Sequence, residues 1–182
     1  MAIEASTIFP YVAPESYLDD LGKGNYVAWD YGQGLVTMLV SDIGPGGVRS
    51  IGPSELEPLG LSHDQAWGTS FQNLNRLFNA DEITLKFGAL TSGVEAFIIC
   101  QHWAASAFTL HPACFECASE ALKSEDLRLL VPSRDNAFVV RASDFSRTDP
   151  ALLELFGELQ GMSRKPFAFN VFRFTREGPA DE

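Results

Sequence analysis

The chain has 182 residues, 46% hydrophobic and 20% charged, and its 13 Lys and Arg against 24 Asp and Glu give a formal net charge of −11. This length and composition predict one globular domain over residues 1–182. Nucleic acid and membrane are excluded as favourable partners, because phosphate binding needs clustered cations and no run approaches the roughly 20 apolar residues of a membrane span.

The first half of the chain is predicted to begin with an irregular N-terminal segment, residues 1–24. Pro10 and Pro14 interrupt this segment, and only a turn or two of helix is expected, around residues 15–21. Three strands are then predicted, at residues 26–31, 35–41 and 48–51. The glycine-rich turn 32–34 joins the first two of them.

Residues 59–78 predict the best-defined helix of the chain. Ser62 is a good N-cap, and Gln65 three residues later completes a capping box. One apolar stripe runs along this helix at positions i, i+4, i+7 and i+11, made by Trp67, Phe71, Leu74 and Phe78. The helix is therefore expected to pack by one face only.

The second half alternates strands with two more helices. The predicted strands lie at residues 83–87, 94–100, 127–131, 137–141 and 167–174. The helices are predicted at residues 112–122 and 150–161, and each starts with a proline at its first position. Residues 176–182 are predicted to be a frayed tail. Together these elements predict a single-domain α+β fold, with a largely antiparallel sheet and about three helices packed on it.

Several short motifs resemble the YtpQ-like family of uncharacterised bacterial proteins. They are the strand 36–41 followed by Asp42, the pair Glu55-Leu56, the LGLS run at 59–62, the pair Asn73-Leu74 and the LLVPSRDNAFVV hairpin at 129–140. The resemblance covers roughly residues 35–175, and the N-terminus of this chain is shorter. It implies a fold class and transfers no function, because the family carries no established activity.

The cysteines and histidines are candidates for chemistry. His111, Cys114 and Cys117 lie three residues apart at a predicted helix start, where a Cys-x-x-Cys pair can do redox work or contribute to a zinc site. Against this, structural zinc needs a fourth ligand, and free cysteines on an amphipathic helix are usually packing residues. A nucleophilic pair of Cys100 or Cys114 with His102 is a further alternative.

The Ser133-Arg134-Asp135 run forms the most polar compact cluster, at the tip of the predicted hairpin. Asp135 is a good turn former, and Arg134 is expected to pair with it or with a neighbouring strand. The alternative interpretation is a recognition point at the loop tip.

Acidic residues suggest a partner more directly. Glu116 and Glu120 repel each other at i, i+4, and Glu125 and Asp126 follow at a helix C-terminus, where the helix dipole disfavours anions. Local stability does not favour this arrangement, whereas a partner that supplies cations would. A second group of candidate partner-binding acids comprises Asp19, Asp20, Glu55 and Glu57. The alternative is that all these acids only aid solubility.

We therefore predict a protein-binding module for a basic protein partner, most concretely a bacterial immunity protein that neutralises a basic toxin. The N-terminus lacks the pattern of a signal peptide and three cysteines are an odd number for disulfides, so a cytoplasmic location is expected. No catalytic residue, metal site or cofactor is assigned, and the oligomeric state is open. A small enzyme with a Cys/His pair and an accessory protein are the alternatives.

Overall fold

A computed structural model describes residues 3–22, 24–44, 47–163 and 166–182. The chain divides into two units, Met1–Asp81 and Glu82–Glu182, and each has its own sheet. The predicted α+β class is confirmed, and all pairings between the described strands are antiparallel. The three longest described helices have 17, 11 and 12 residues, in agreement with the predicted number.

The sheet of the first unit is built around strand β3 (Leu35–Asp42). This strand pairs with β1 (Ile8–Pro14) along one side, and with β2 (Ala28–Gly32) and β4 (Val48–Ser50) along the other. β1 lies within the segment predicted to be irregular, of which residues 1, 2 and 23 fall outside the described residues. An edge strand tolerates prolines because one side of it needs no ladder hydrogen bonds, so Pro10 and Pro14 do not prevent pairing here.

Helix α3 (His63–Asn79) covers this sheet, after the short helices α1 (Tyr17–Leu21) and α2 (Pro53–Leu56). The predicted capping box is confirmed. The Ser62 side chain accepts a hydrogen bond from the Gln65 backbone at 3.2 Å, and the Gln65 side chain accepts one from the Ser62 backbone at 2.8 Å. Trp67 and Leu74 of the predicted stripe are buried, and Phe71 and Phe78 are partly buried. The core beneath α3 includes Ile8, Val27, Leu39, Ile51, Leu56 and Ala66.

The second unit contains a six-stranded sheet of order β10-β9-β7-β8-β6-β5. Its strands are β5 (Thr84–Ala89), β6 (Glu95–Cys100), β7 (Leu127–Ser133), β8 (Asn136–Arg141), β9 (Phe172–Thr175) and β10 (Gly178–Asp181). The segment predicted to fray at 176–182 thus forms an edge strand. The Glu182 carboxylate accepts hydrogen bonds from Arg128 and Arg147, and these ion pairs hold the segment in place.

Helices α4 (Pro112–Leu122) and α5 (Pro150–Gly161) pack on opposite faces of this sheet. Phe115 of α4 makes an edge-on contact with Phe174. Leu152, Leu155, Phe156 and Leu159 of α5 pack with Leu130, Phe138 and Val140. Leu130 and Phe138 are register partners, as are Leu127 and Phe174, and residues an odd number apart on a strand point to opposite faces. No helix among the described residues is long and apolar enough to span a bilayer.

Candidate functional site

Glu116 and Glu120 of the first predicted acidic group lie on the exposed side of α4. His111 is the N-cap, and its Nδ1 accepts a hydrogen bond from the Ala113 backbone at 3.2 Å. The helix buries Cys114, Phe115, Ala118 and Leu122 against the sheet. The same helical period leaves Glu116 and Glu120 exposed, one turn apart.

The carboxylates of this group differ in their pairing. Glu116, Glu120 and Glu125 are exposed and form no ion pair with any described residue. Asp126 is 75% exposed but pairs with Arg128 at 3.0 Å. All four residues therefore lie at the surface, and the three without an ion pair are available to an external cation.

A groove of about 720 Å³ runs beside the C-terminal end of α4. Glu125 and Asp126 line it, and so do the exposed cations Arg173 and Arg176. The negative charge is partly compensated there, whereas Glu116 and Glu120 do not line this groove. The exposed face of α4 is thus the more acidic part of the predicted group.

The field of these acids reaches the neighbouring thiol. Burial raises the pKa of Cys117, and Glu120 and Glu116 raise it further. Burial also raises the pKa of Cys114 well above its usual range, with a further contribution from Cys117. Both thiols are therefore protonated at neutral pH, the opposite of what a redox pair or a metal site requires.

The second predicted acidic group lies in the first unit and is divided in the same way. Asp19, Asp20 and Glu57 are exposed and form no ion pair with any described residue. Glu55 instead pairs with Arg49 at 2.8 Å and accepts a hydrogen bond from the Gly52 backbone at 3.0 Å. Glu55 therefore stabilises the start of α2, which makes it a poor contact for a partner.

An exposed aromatic residue, Trp29, does not emerge from the sequence analysis. Its ring stacks on Trp67 with centroids 3.8 Å apart and planes inclined by 20°, and Phe71 lies 6.4 Å away. Trp67 is only 3% exposed, whereas Trp29 is 47% exposed because β2 is an edge strand. The alternation of Val27, Trp29 and Tyr31 predicts a core residue at 29, and only the position of the strand in the sheet shows otherwise.

A cavity of about 440 Å³ opens in the second unit at the end of β6, near the C-terminal end of α5. Its lining includes the candidate pair Cys100 and His102 and also Asp135 of the hairpin tip. Lys86, Leu159 and Met162 also line the cavity, and they come from distant parts of the chain. Cys114 does not line this cavity, so the Cys114–His102 pairing has no support in the geometry.

The Cys100 thiol does not have the lowered pKa of an activated nucleophile. Burial raises the pKa of the Cys100 thiol, and the nearby Lys86 opposes the shift only in part. His102 Nδ1 accepts a hydrogen bond from the Ala104 backbone at 3.1 Å. The raised pKa of the Cys100 thiol does not favour a nucleophilic role for this residue.

The hairpin tip has the predicted structural role. Arg134 Nε donates to Asp135 Oδ1 at 2.9 Å, and the Ser163 hydroxyl donates to Asp135 Oδ2 at 2.7 Å. The charge of Asp135 is therefore compensated within the unit. Among the described residues, no group of three or more His, Cys, Asp or Glu side chains is arranged to hold a metal ion.

The chain matches no protein-family model, no curated protein and no solved structure. The resemblance to the YtpQ-like family therefore stays a prediction.

Proposed function

We propose that this protein is a cytoplasmic protein-binding module that recognises a basic protein, in the manner of a bacterial immunity protein that neutralises a toxin. The observation that carries the proposal is the exposed face of α4, where Glu116 and Glu120 lie one turn apart and form no ion pair with a described Lys, Arg or His. Like charges at this spacing cost a few tenths of a kcal/mol, which a cationic partner would offset.

The overall charge supports the same partner. A net charge of −11 attracts a basic protein over a distance of about a Debye length and accelerates association. Acids at an interface mainly set the association rate and the choice of partner, while buried aromatic residues usually supply most of the affinity. Trp29 is a separate candidate contact in the first unit, because it is exposed and is held in place by its stack on Trp67.

The experiment starts with the full chain, affinity-tagged and isolated from its native cells with its bound protein, which is identified by mass spectrometry. Biolayer interferometry then measures association and dissociation rates at increasing salt. We expect a basic partner whose association rate falls steeply with salt while its dissociation rate changes less.

The decisive variant replaces Glu116, Glu120 and Glu125 by Gln. Asp126 is kept because removing its charge would deprive Arg128 of a partner. Binding should weaken by about 1–3 kcal/mol in total if the new pairs are partly desolvated, the range of charged hydrogen bonds. Urea unfolding should show a stability equal to wild type or higher by a few tenths of a kcal/mol, since repulsion within α4 is relieved.

Helix α5 provides a matched control, because Glu154 and Glu158 are also exposed acids at i, i+4. Replacing both by Gln removes charge from the same unit without touching α4. This variant should bind the partner more tightly than Glu116→Gln/Glu120→Gln, which removes the same number of charges from α4. Equal weakening by these two double variants would mean that binding depends only on general charge attraction. An α4 variant that binds as tightly as wild type at low salt would refute the proposal.

A further inference from the structure

We infer that the cavity at the end of β6 binds a small amphipathic organic anion, a molecule with an apolar body and one carboxylate. This inference goes beyond the proposed protein-binding function and does not depend on it. The cavity volume of about 440 Å³ lies within the range of small-molecule sites in proteins, about 300–1,000 Å³.

The apolar body of the ligand would lie against Ile98, Leu159 and Met162, which line the cavity. Leu159 belongs to the apolar core between the sheet and α5, and the partly buried Ile98 packs against that core. Met162, by contrast, is 75% exposed, an unusual position for a large apolar side chain. Methionine is flexible and polarizable, and it adapts to ligands of different shape. Ile98 and Leu159 thus form a fixed wall of the cavity, and Met162 forms an adaptable one.

The charge in the cavity selects an anion. Lys86 lines it, and its ammonium group forms no ion pair with any described residue. Asp135, which also lines the cavity, already accepts hydrogen bonds on its carboxylate from Arg134 and Ser163. The Cys100 thiol is neutral because burial raises its pKa. The lysine is therefore the uncompensated charge among these lining groups.

Gln101 adds hydrogen-bond donors at the same place. Its side-chain oxygen accepts a hydrogen bond from the Thr84 hydroxyl at 2.9 Å, so its amide has N–H donors left to offer to the cavity that it lines. Its backbone φ of 69° lies in the left-handed region, which is uncommon for a residue other than glycine. Strained residues of this kind are concentrated at ligand-binding and active sites.

Three eight-carbon probes with the same apolar body test the inference on the full chain: octanoate, octanol and octylammonium. Binding is followed by backbone amide shifts in ¹H–¹⁵N spectra. We expect octanoate to bind tightest and octylammonium weakest, with the largest shifts at residues 98–103 and 135–136. Failure of all three to bind at millimolar concentration, equal affinity for octylammonium and octanoate, or shifts scattered over the surface would overturn the inference.

Substitutions at two exposed positions, Lys86 and Met162, test where the probes bind without disturbing the buried core. Lys86→Gln should lower octanoate affinity about two- to fivefold, the range of an exposed ion pair, and leave octanol affinity unchanged. Lys123→Gln is the matched control, because Lys123 is an exposed lysine of the same unit that does not line the cavity. Met162→Ala should weaken all three probes. The same octanoate affinity for Lys86→Gln as for Lys123→Gln would show that the lysine does not recognise the anion.

Discussion

Trp67 and Trp29 show how two residues of one type take different roles in one contact. The two rings stack on each other, yet 3% of Trp67 is exposed and 47% of Trp29. Burial of an aromatic side chain contributes in proportion to the area removed from water. Most of the stabilisation from this pair should therefore come from Trp67, which leaves Trp29 available for recognition.

Replacing Trp67 by Ala should lower the free energy of unfolding by about 3–5 kcal/mol, as for other buried aromatic residues. Urea melts of the variant and the wild type measure the difference. Trp29→Ala is the comparison variant, and its loss should be clearly smaller because nearly half of its side chain is already exposed. A loss below about 1 kcal/mol for Trp67→Ala would contradict the buried position.

The thiols predict a pH dependence at the alkaline end. Cys114 is fully buried and its pKa is raised by that burial, so the folded state keeps its proton where the unfolded chain loses it. The folded state then binds more protons, and stability falls as pH rises. The loss should begin near the ordinary thiol value of 9.0.

The measurement for this effect is the free energy of unfolding from urea melts between neutral pH and pH values above the ordinary thiol pKa. Cys114→Ala should be less stable than wild type at neutral pH, because it leaves a cavity, but its stability should decline less steeply in alkali. Parallel curves for both proteins would show that Cys114 does not titrate differently in the folded and unfolded states.

At the scale of elements, the helices were the most predictable part of the fold. Ser62 with Gln65, Pro112 and the Asp149-Pro150 pair mark helix starts by local hydrogen bonding or a fixed φ, and the structure begins α3, α4 and α5 at these signals. Strands β1 and β10 were not predicted, because pairing at a sheet edge depends on a partner distant in sequence. β1, for instance, pairs with β3 across more than twenty residues.

Each candidate site likewise has features that could be predicted from the sequence and features that could not. The exposure of the acids on α4 could be predicted, since a helix presents its residues at a fixed period. Their pairing could not, because Arg128 reaches Asp126 through the geometry of the strand that follows. The cavity combines Lys86, Ile98, Asp135 and Met162 from four elements or loops, so no local pattern announces it.

Gly68 offers a test at the scale of a helix. It lies in the middle of α3, is exposed, and a Cβ added there would meet no atom within 4 Å. Gly68→Ala should therefore stabilise the first unit, by up to about 1 kcal/mol, the difference in helix propensity. Urea melts measure the gain. Gly157→Ala in α5 is a matched control, because a Cβ added at Gly157 would also meet no atom within 4 Å. A loss of stability would indicate a contact on this side of α3.

At the scale of the whole molecule, the charge is unevenly divided. Residues 1–81 hold three Lys or Arg against ten Asp or Glu, and the remaining residues hold ten against fourteen. When the chain is divided between Asp81 and Glu82, where the two units meet in sequence, the net charge is −7 for the first unit and −4 for the second. If a basic partner is drawn by charge alone, its first encounter should favour residues 1–81.

The single domain expected from chain length stays a prediction, and cooperativity is the property that decides it. Native-state hydrogen exchange read by mass spectrometry reports the opening free energy of peptides from each unit separately. One domain requires that the slowest amides of β3 and of β8 exchange with the same free energy and the same denaturant dependence. Two distinct values would mean that the units unfold independently.

The stack of Trp29 on Trp67 has an optical consequence. Two indoles held 3.8 Å apart are close enough for their electronic transitions to couple, and we expect a paired positive and negative band in circular dichroism. Trp103, the third tryptophan, belongs to the other unit, so the band pair belongs to residues 1–81. The chain therefore carries an intrinsic chromophore pair that reports the folding of its first unit, and any ligand that inserts at Trp29, without a label.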